Sequence, residues 1–192
     1  MMILINQIVN SCIKNKLIKE EEYELYYYCF ESLILKIVFD SIILILAIYF
    51  DWLISTIFYY VGFGCIRYTG GGYHAKTVWG CVILSIGIYL MNMSLLELFF
   101  KFRCYELLFI IIFTAVCLVW AFAPVDHPNR RFSNKEKNKF KKRSKLISGI
   151  GALVCFTIWG VLPSVSWALS IGGLTAAFSI VVAKHSKEVN VC

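Results

Sequence analysis

The feature that most constrains the fold of this chain is its succession of apolar runs. Six stretches stand out, at about 31 to 50, 52 to 66, 78 to 98, 105 to 123, 146 to 162 and 164 to 183. A helix needs roughly 17 to 25 mostly apolar residues to cross the hydrocarbon of a bilayer, so the second and fifth runs are short and the others ample. A segment inside lipid must also satisfy its own backbone hydrogen bonds, which a helix does without help. The expected fold is an all-α integral membrane protein of about six transmembrane helices. With 59% hydrophobic and 16% charged residues and only short connections between runs, the 192 residues form one membrane domain with no separate soluble domain.

The N-terminal region, 1–30, differs in kind. Ile5, Ile8, Val9, Cys12, Ile13 and Leu17 recur at helical spacing, whereas Asn6, Asn10, Lys14 and Lys16 occupy the intervening positions. That pattern predicts an amphipathic helix lying in the membrane interface. It has neither the charged start and small-residue cleavage site of a secretory signal nor a convincing lipobox before Cys12, and Cys192 is not placed for prenylation. The aromatic run Tyr26, Tyr27, Tyr28 and Phe30 is expected to form an interfacial belt, as are Phe58, Tyr59 and Tyr60.

Charge sets the expected orientation. The segment 124–145 carries Arg130, Arg131, Lys135, Lys137, Lys139, Lys141, Lys142, Arg143 and Lys145 against Asp126 and Glu136, so it alone accounts for the net charge of +7. Such a loop stays in the cytoplasm. Both termini and the segment 67–77 then fall on the cytoplasmic side, with Lys101 and Arg103 a minor conflict. Lysines beside a span are accounted for by orientation and by contact with anionic membrane lipids, so no nucleic-acid partner is expected. Docking of an acidic substrate segment is a second use of the same charge.

Chemistry concentrates in 67–81, Arg-Tyr-Thr-Gly-Gly-Gly-Tyr-His-Ala-Lys-Thr-Val-Trp-Gly-Cys. Imidazole suits the activation of a thiol near neutral pH, which makes His74 and Cys81 a candidate base and nucleophile. In one continuous helix the seven-residue step would hold them roughly 10 Å apart along the axis, too far for proton transfer. Gly70, Gly71 and Gly72 permit backbone conformations that other residues resist, so His74 is expected on a loop or re-entrant turn folded back over the helix of Cys81. Pairing across a dimer is the alternative. Backbone N–H groups of such a turn or of a helix start are suited to an oxyanion. Arg67 and Lys76 would favour the thiolate or bind a substrate carboxylate, while ordinary interfacial snorkelling equally explains Arg67.

The remaining cysteines, Cys29, Cys65, Cys104, Cys117 and Cys155 among them, are scattered in or beside apolar runs and form no Cys-x-x-Cys unit. No metal site, cofactor or disulfide framework is expected. Asp40 inside the first span is expected to pair with Lys36 one turn earlier. Glu97 falls too near the outer end to serve a cytoplasmic site, and His127 and His185 read as loop and tail residues. In the last span Gly172, Gly173, Ala176 and Ala177 offer a small-residue face for close helix packing, between protomers in a homodimer.

Arg67, Gly72, His74, Ala75 and Cys81, on a six-span chain with an amphipathic start and a basic central loop, resemble the AgrB family of membrane endopeptidases of quorum sensing. Ala123-Pro124 and Pro128-Asn129 resemble a further family segment. The resemblance implies that Cys81 is the nucleophile and His74 its base, acting on a precursor peptide of the AgrD type. It implies an acyl-enzyme, release of an acidic C-terminal tail, and closure of the peptide to a thiolactone or lactone. By analogy with triads, Asp126 would orient His74. Two other classes compete: a small transporter or channel for peptides or ions, supported by Lys36, Asp40 and Asn92 within spans, and a noncatalytic membrane scaffold. Both differ from the peptidase in tolerating replacement of Cys81.

Overall fold

A computed structural model describes residues 2–73, 77–102, 104–125 and 132–189. Those residues are all-helical, without strands. Seven α-helices follow one another: α1 Met2–Lys14, α2 Tyr23–Tyr49, α3 Leu53–Gly70, α4 Val78–Lys101, α5 Tyr105–Phe122, α6 Asn134–Ile158 and α7 Pro163–Val189, with a 3-10 turn at Glu20–Glu22 before α2. The membrane-type all-α fold read from the apolar runs is the one observed. Three segments, Glu20–Tyr49, Trp79–Lys101 and Pro163–Ser186, are long and apolar enough to cross a membrane, and Glu106–Phe122 is a shorter apolar helix. Of the other two expected spans, α3 contains Arg67 and several tyrosines and the first half of α6 is densely cationic.

α1 is amphipathic as expected, but it packs on α2 in addition to presenting a polar face. Ile5 and Val9 are fully buried, and the hydroxyl of Tyr23 donates to Oδ1 of Asn6 at 2.7 Å. Leu17 does not extend the apolar stripe. The helix stops at Lys14, Lys16 takes a positive φ of 56°, and Leu17 is exposed. α2 starts at Tyr23, earlier than the expected 31, because nothing between Glu20 and Tyr49 breaks a helix: no proline or glycine falls there.

The segment 124–145 was expected to be a loop throughout, yet its second half is helical. Ser133 Oγ accepts the Glu136 N–H at 3.3 Å, and the Glu136 carboxylate accepts the Ser133 N–H at 2.9 Å. This reciprocal capping box starts α6 at Asn134. Lys135 through Lys145 therefore ride on a helix continuous with the apolar residues up to Ile158.

The centre of the bundle is the α3–α7 pair, with α5 and α6 against it and α2 and α4 on its flank. The two backbones approach closely because small residues face each other. A Cβ on Gly62 would strike the Leu169 carbonyl, one on Gly172 would strike the Tyr59 carbonyl, and Ala176 and Ala177 are fully buried. The small-residue face of α7, expected to pack between protomers, is thus occupied within the chain. Without a hydrophobic force between helices in lipid, van der Waals contact between closely apposed backbones supplies the attraction.

Two core clusters lie along this pair. Toward the start of α3, Trp52, Tyr59, Tyr89, Met93, Leu96 and Trp167 pack together. There the indole N–H of Trp52 donates to Glu97 at 2.6 Å, which fixes Glu97 at the end of α4 away from Cys81. Toward the end of α3, Ile66, Val119, Ala123, Val125, Ala177 and Ile180 form the second cluster, under the glycine-rich turn.

Candidate functional site

α3 ends at Gly70 and α4 begins at Val78, so 67–81 is not one helix. Thr77 is extended, with φ −119° and ψ 146°, and its hydroxyl accepts the Gly80 N–H at 3.1 Å. This N-cap places Cys81 in the first turn of α4, its N–H bonded to the Thr77 carbonyl at 3.1 Å. The thiol is free and half-buried. The first N–H groups of a helix have no partner within it and carry partial positive charge.

The turn after α3 is built by three glycines in three ways. Gly70 is buried against Ile180, and its carbonyl accepts the Val125 N–H at 3.0 Å. Gly71 has φ of +74°, a left-handed conformation that a side chain resists, and a Cβ there would lie 2.6 Å from the Val125 carbonyl. Gly72 leaves room for another group: a Cβ on it would collide with Nη1 of Arg67. The expected turn is present over 71–73. His74, Lys76 and Asp126 lie outside the described residues, as do Ala75, His127 and the Pro128-Asn129 pair.

Arg67 fills the space that Gly72 leaves. Its Nη2 donates to the Tyr73 carbonyl at 2.7 Å, and Nη1 donates to Ser179 Oγ at 2.7 Å and to the Gly71 carbonyl at 3.4 Å. The guanidinium also interacts electrostatically with Cys81. Arg67 is therefore more than a side chain snorkelling to an interface; its planar fork ties the end of α3 to the turn and to α7, a geometry that a lysine cannot reproduce. Of the residues that sequence reasoning singled out, the structure joins Arg67 to the turn of Gly70, Gly71 and Gly72, and Cys81 is linked to Arg67 through the electrostatic interaction.

Three participants were missed. Val125 and Tyr73 act through their backbone, which no side-chain motif announces. Ser179 lies in the run Phe-Ser-Ile-Val-Val, where a lone serine reads as filler in an apolar span. Thr77 is a fourth, although a threonine directly ahead of an apolar run is a signal that could have found this N-cap.

The chain belongs to the AgrB family. The family profile, accessory gene regulator B, matches residues 5–180, most of the 192-residue chain. No curated protein and no solved structure matches it. Membership in AgrB supports a part in processing the accessory gene regulator autoinducer, together with the AgrD precursor, and a membrane location. The polar residues that favoured a transporter are internally engaged. Lys36 Nζ and Asp40 Oδ2 pair at 2.6 Å on α2, as expected. The Asn92 amide donates to Tyr59 at 3.2 Å and to Thr175 at 2.9 Å, joining α4 to α3 and α7. A cavity of about 360 Å³ between α3, α5, α6 and α7 is lined by Val61, Gly62, Cys65, Ile112, Ser170 and Gly173 among others. Neither Cys81 nor Arg67 lines it, so this AgrB chain presents its thiol at the helix start and not in that cavity.

Proposed function

We propose that this chain is a membrane cysteine endopeptidase that cleaves an AgrD-type precursor and supports its cyclisation. The observation that carries the reading is the position of Cys81: in the first turn of a helix capped by Thr77 and in electrostatic interaction with Arg67, whose side chain is tied to the glycine-built turn after α3. Cys81 is the nucleophile and His74 the general base. The sulfur attacks a backbone carbonyl of the precursor, and its proton passes to His74. N–H groups at the start of α4 or in the turn receive the negative charge of the tetrahedral oxygen. Collapse expels the amine of the C-terminal tail, which takes the proton from His74, and leaves a thioester on Cys81. A thiol or hydroxyl within the peptide then displaces Cys81, closing a thiolactone or lactone and returning the thiol. Because one acyl–sulfur bond replaces another in the thiolactone case, exclusion of water decides between ring closure and hydrolysis.

Lys76 is assigned a supporting role with Arg67 in binding the precursor, and Asp126 the orientation of His74. The reaction is assigned to the cytoplasmic side of a bacterial membrane, with both termini on that side, since the cations of 130–145 belong there. A homodimer remains part of the proposal, with contacts other than the small-residue face of α7.

The test is reconstitution of the purified protein with a candidate precursor, followed by mass spectrometry. A thioester adduct on Cys81 and release of the tail are expected. Cleavage that persists in both Cys81→Ala and Cys81→Ser, with membrane insertion retained, would return the chain to the transporter or scaffold classes.

A further inference from the structure

Ser179 stands where α7 meets the glycine-built turn, and no step of the reaction above consumes it. Its hydroxyl oxygen accepts from Nη1 of Arg67 at 2.7 Å and from the Tyr73 N–H at 3.1 Å. The backbone carbonyl of Ser179 takes the same Tyr73 N–H at 3.0 Å. Arg67 closes the circuit from the other side by donating to the Tyr73 carbonyl. Both polar backbone groups of Tyr73 are therefore held, the N–H by α7 and the carbonyl by α3. Tyr73 is the residue that directly precedes His74 in the chain.

Other hydroxyls on the same helix show the range of uses: Ser166 donates to the Cys155 carbonyl of α6 at 2.8 Å, and Thr175 accepts from Asn92 of α4 at 2.9 Å. Ser170 bonds back to the Ser166 carbonyl and Thr175 to the Ile171 carbonyl, four residues earlier on α7. That is how a hydroxyl satisfies itself on an apolar helix. Ser179 is set apart by accepting at one oxygen both a guanidinium of another helix and a backbone N–H of the turn. Gly72 is what lets it do so, since a Cβ there would collide with Arg67 and lie 2.7 Å from Ser179 Oγ.

We propose that Ser179 is a positioning residue for the chemistry at Cys81, fixing Arg67 and Tyr73 in one arrangement at the glycine-built turn after α3. The assignment rests on the endopeptidase reading. Ser179 touches neither substrate nor sulfur. It acts through Arg67, which interacts electrostatically with Cys81, and through Tyr73, whose backbone N–H it holds. A half-buried guanidinium that loses an oxygen acceptor turns toward another, and with it moves the local field at the thiol.

The test uses the full-length protein in lipid vesicles with two readouts. One is kcat and KM for precursor cleavage. The other is the pH dependence of alkylation of Cys81 by iodoacetamide, followed on the Cys81 peptide by mass spectrometry. Ser179→Ala is expected to lower kcat about tenfold or more at nearly constant KM, in line with the effect of misplacing a catalytic group, and to shift the alkylation profile. Ser179→Thr keeps the hydroxyl and is expected to restore both. A serine with only a structural role would reduce the amount of folded protein and leave the profile of the remainder unshifted. Parental kcat and an unshifted profile in Ser179→Ala overturn the proposal. Where Ser179→Ala fails to insert, the near-isosteric pair Ser179→Thr and Ser179→Val decides, and equal profiles in the two overturn it. Alkylation needs no precursor, so loss of the endopeptidase reading, shown by cleavage in Cys81→Ala, is told apart from loss of the clamp.

Discussion

The α3–α7 pair at the centre of the bundle and the α2–α4 pair on its flank are held in different ways. α3 and α7 meet backbone to backbone over Gly62, Gly172, Ala176 and Ala177. α2 and α4 lie on the flank with Leu44, Ile45, Ile48, Ile83 and Leu84 exposed. Cys81 belongs to the flanking pair and Arg67 to the central one. The difference shows how the guanidinium is held: the close approach of α3 and α7 brings Ser179 within reach, and Arg67 bonds to Gly71, Tyr73 and Ser179.

The largest expected effect separates chemistry from architecture. Replacing Cys81 by alanine or serine should reduce precursor cleavage by roughly three orders of magnitude or more, while thermal unfolding in detergent stays that of the parent. A drop in unfolding temperature as large as the loss of cleavage would mean that Cys81 packs instead of reacting. Arg67→Lys comes next. It keeps the charge and loses the fork, and cleavage should fall roughly 10- to 100-fold, the range seen when a supporting hydrogen bond to a catalytic group is removed. Parental cleavage in this variant would show that charge alone suffices.

A pair of glycine variants sharpens the comparison between the helix pairs. Gly172→Ala drives a Cβ into the Tyr59 carbonyl, and should cost about 1–3 kcal/mol. Gly87→Ala on α4 meets nothing within 4 Å, and should be neutral or stabilise by about 0.5–1 kcal/mol through helix propensity. Equal unfolding temperatures would break the distinction. The smallest effect concerns the link between the pairs. Asn92→Leu removes the bonds to Tyr59 and Thr175, and should weaken the attachment of α4 by about 0.6–1.7 kcal/mol. Hydrogen exchange is the measurement, with faster exchange expected in α4 and not in α3 or α7.

Much of this was legible in the sequence because it depends on local rules. The apolar runs marked the helices, and the geometric objection to a continuous helix over 74–81 holds, since Thr77 is extended and α4 starts after it. The Lys36–Asp40 pair followed from spacing alone. Other features were visible but unread. Ser133 and Glu136 form a capping box at the standard spacing, and the density of lysine around them disguised a helix start as a loop. The partner of Gly172 was not readable at all, because a small-residue face fits a neighbouring helix of the same chain as well as one from a second copy.

The sequence by itself determined that this is a membrane helical chain, that its cations gather in one segment, and that a turn rich in glycine separates Arg67 from Cys81. Periodicity, composition and backbone freedom act over a few residues, so each of these can be read without a fold. Only the tertiary structure decided that α7 supplies Ser179 to that turn, that Val125 closes over Gly70, and that Asn92 is a link between helices. Those contacts join residues 33 to 112 positions apart, and nothing local in a chain encodes which distant helix will lie against which.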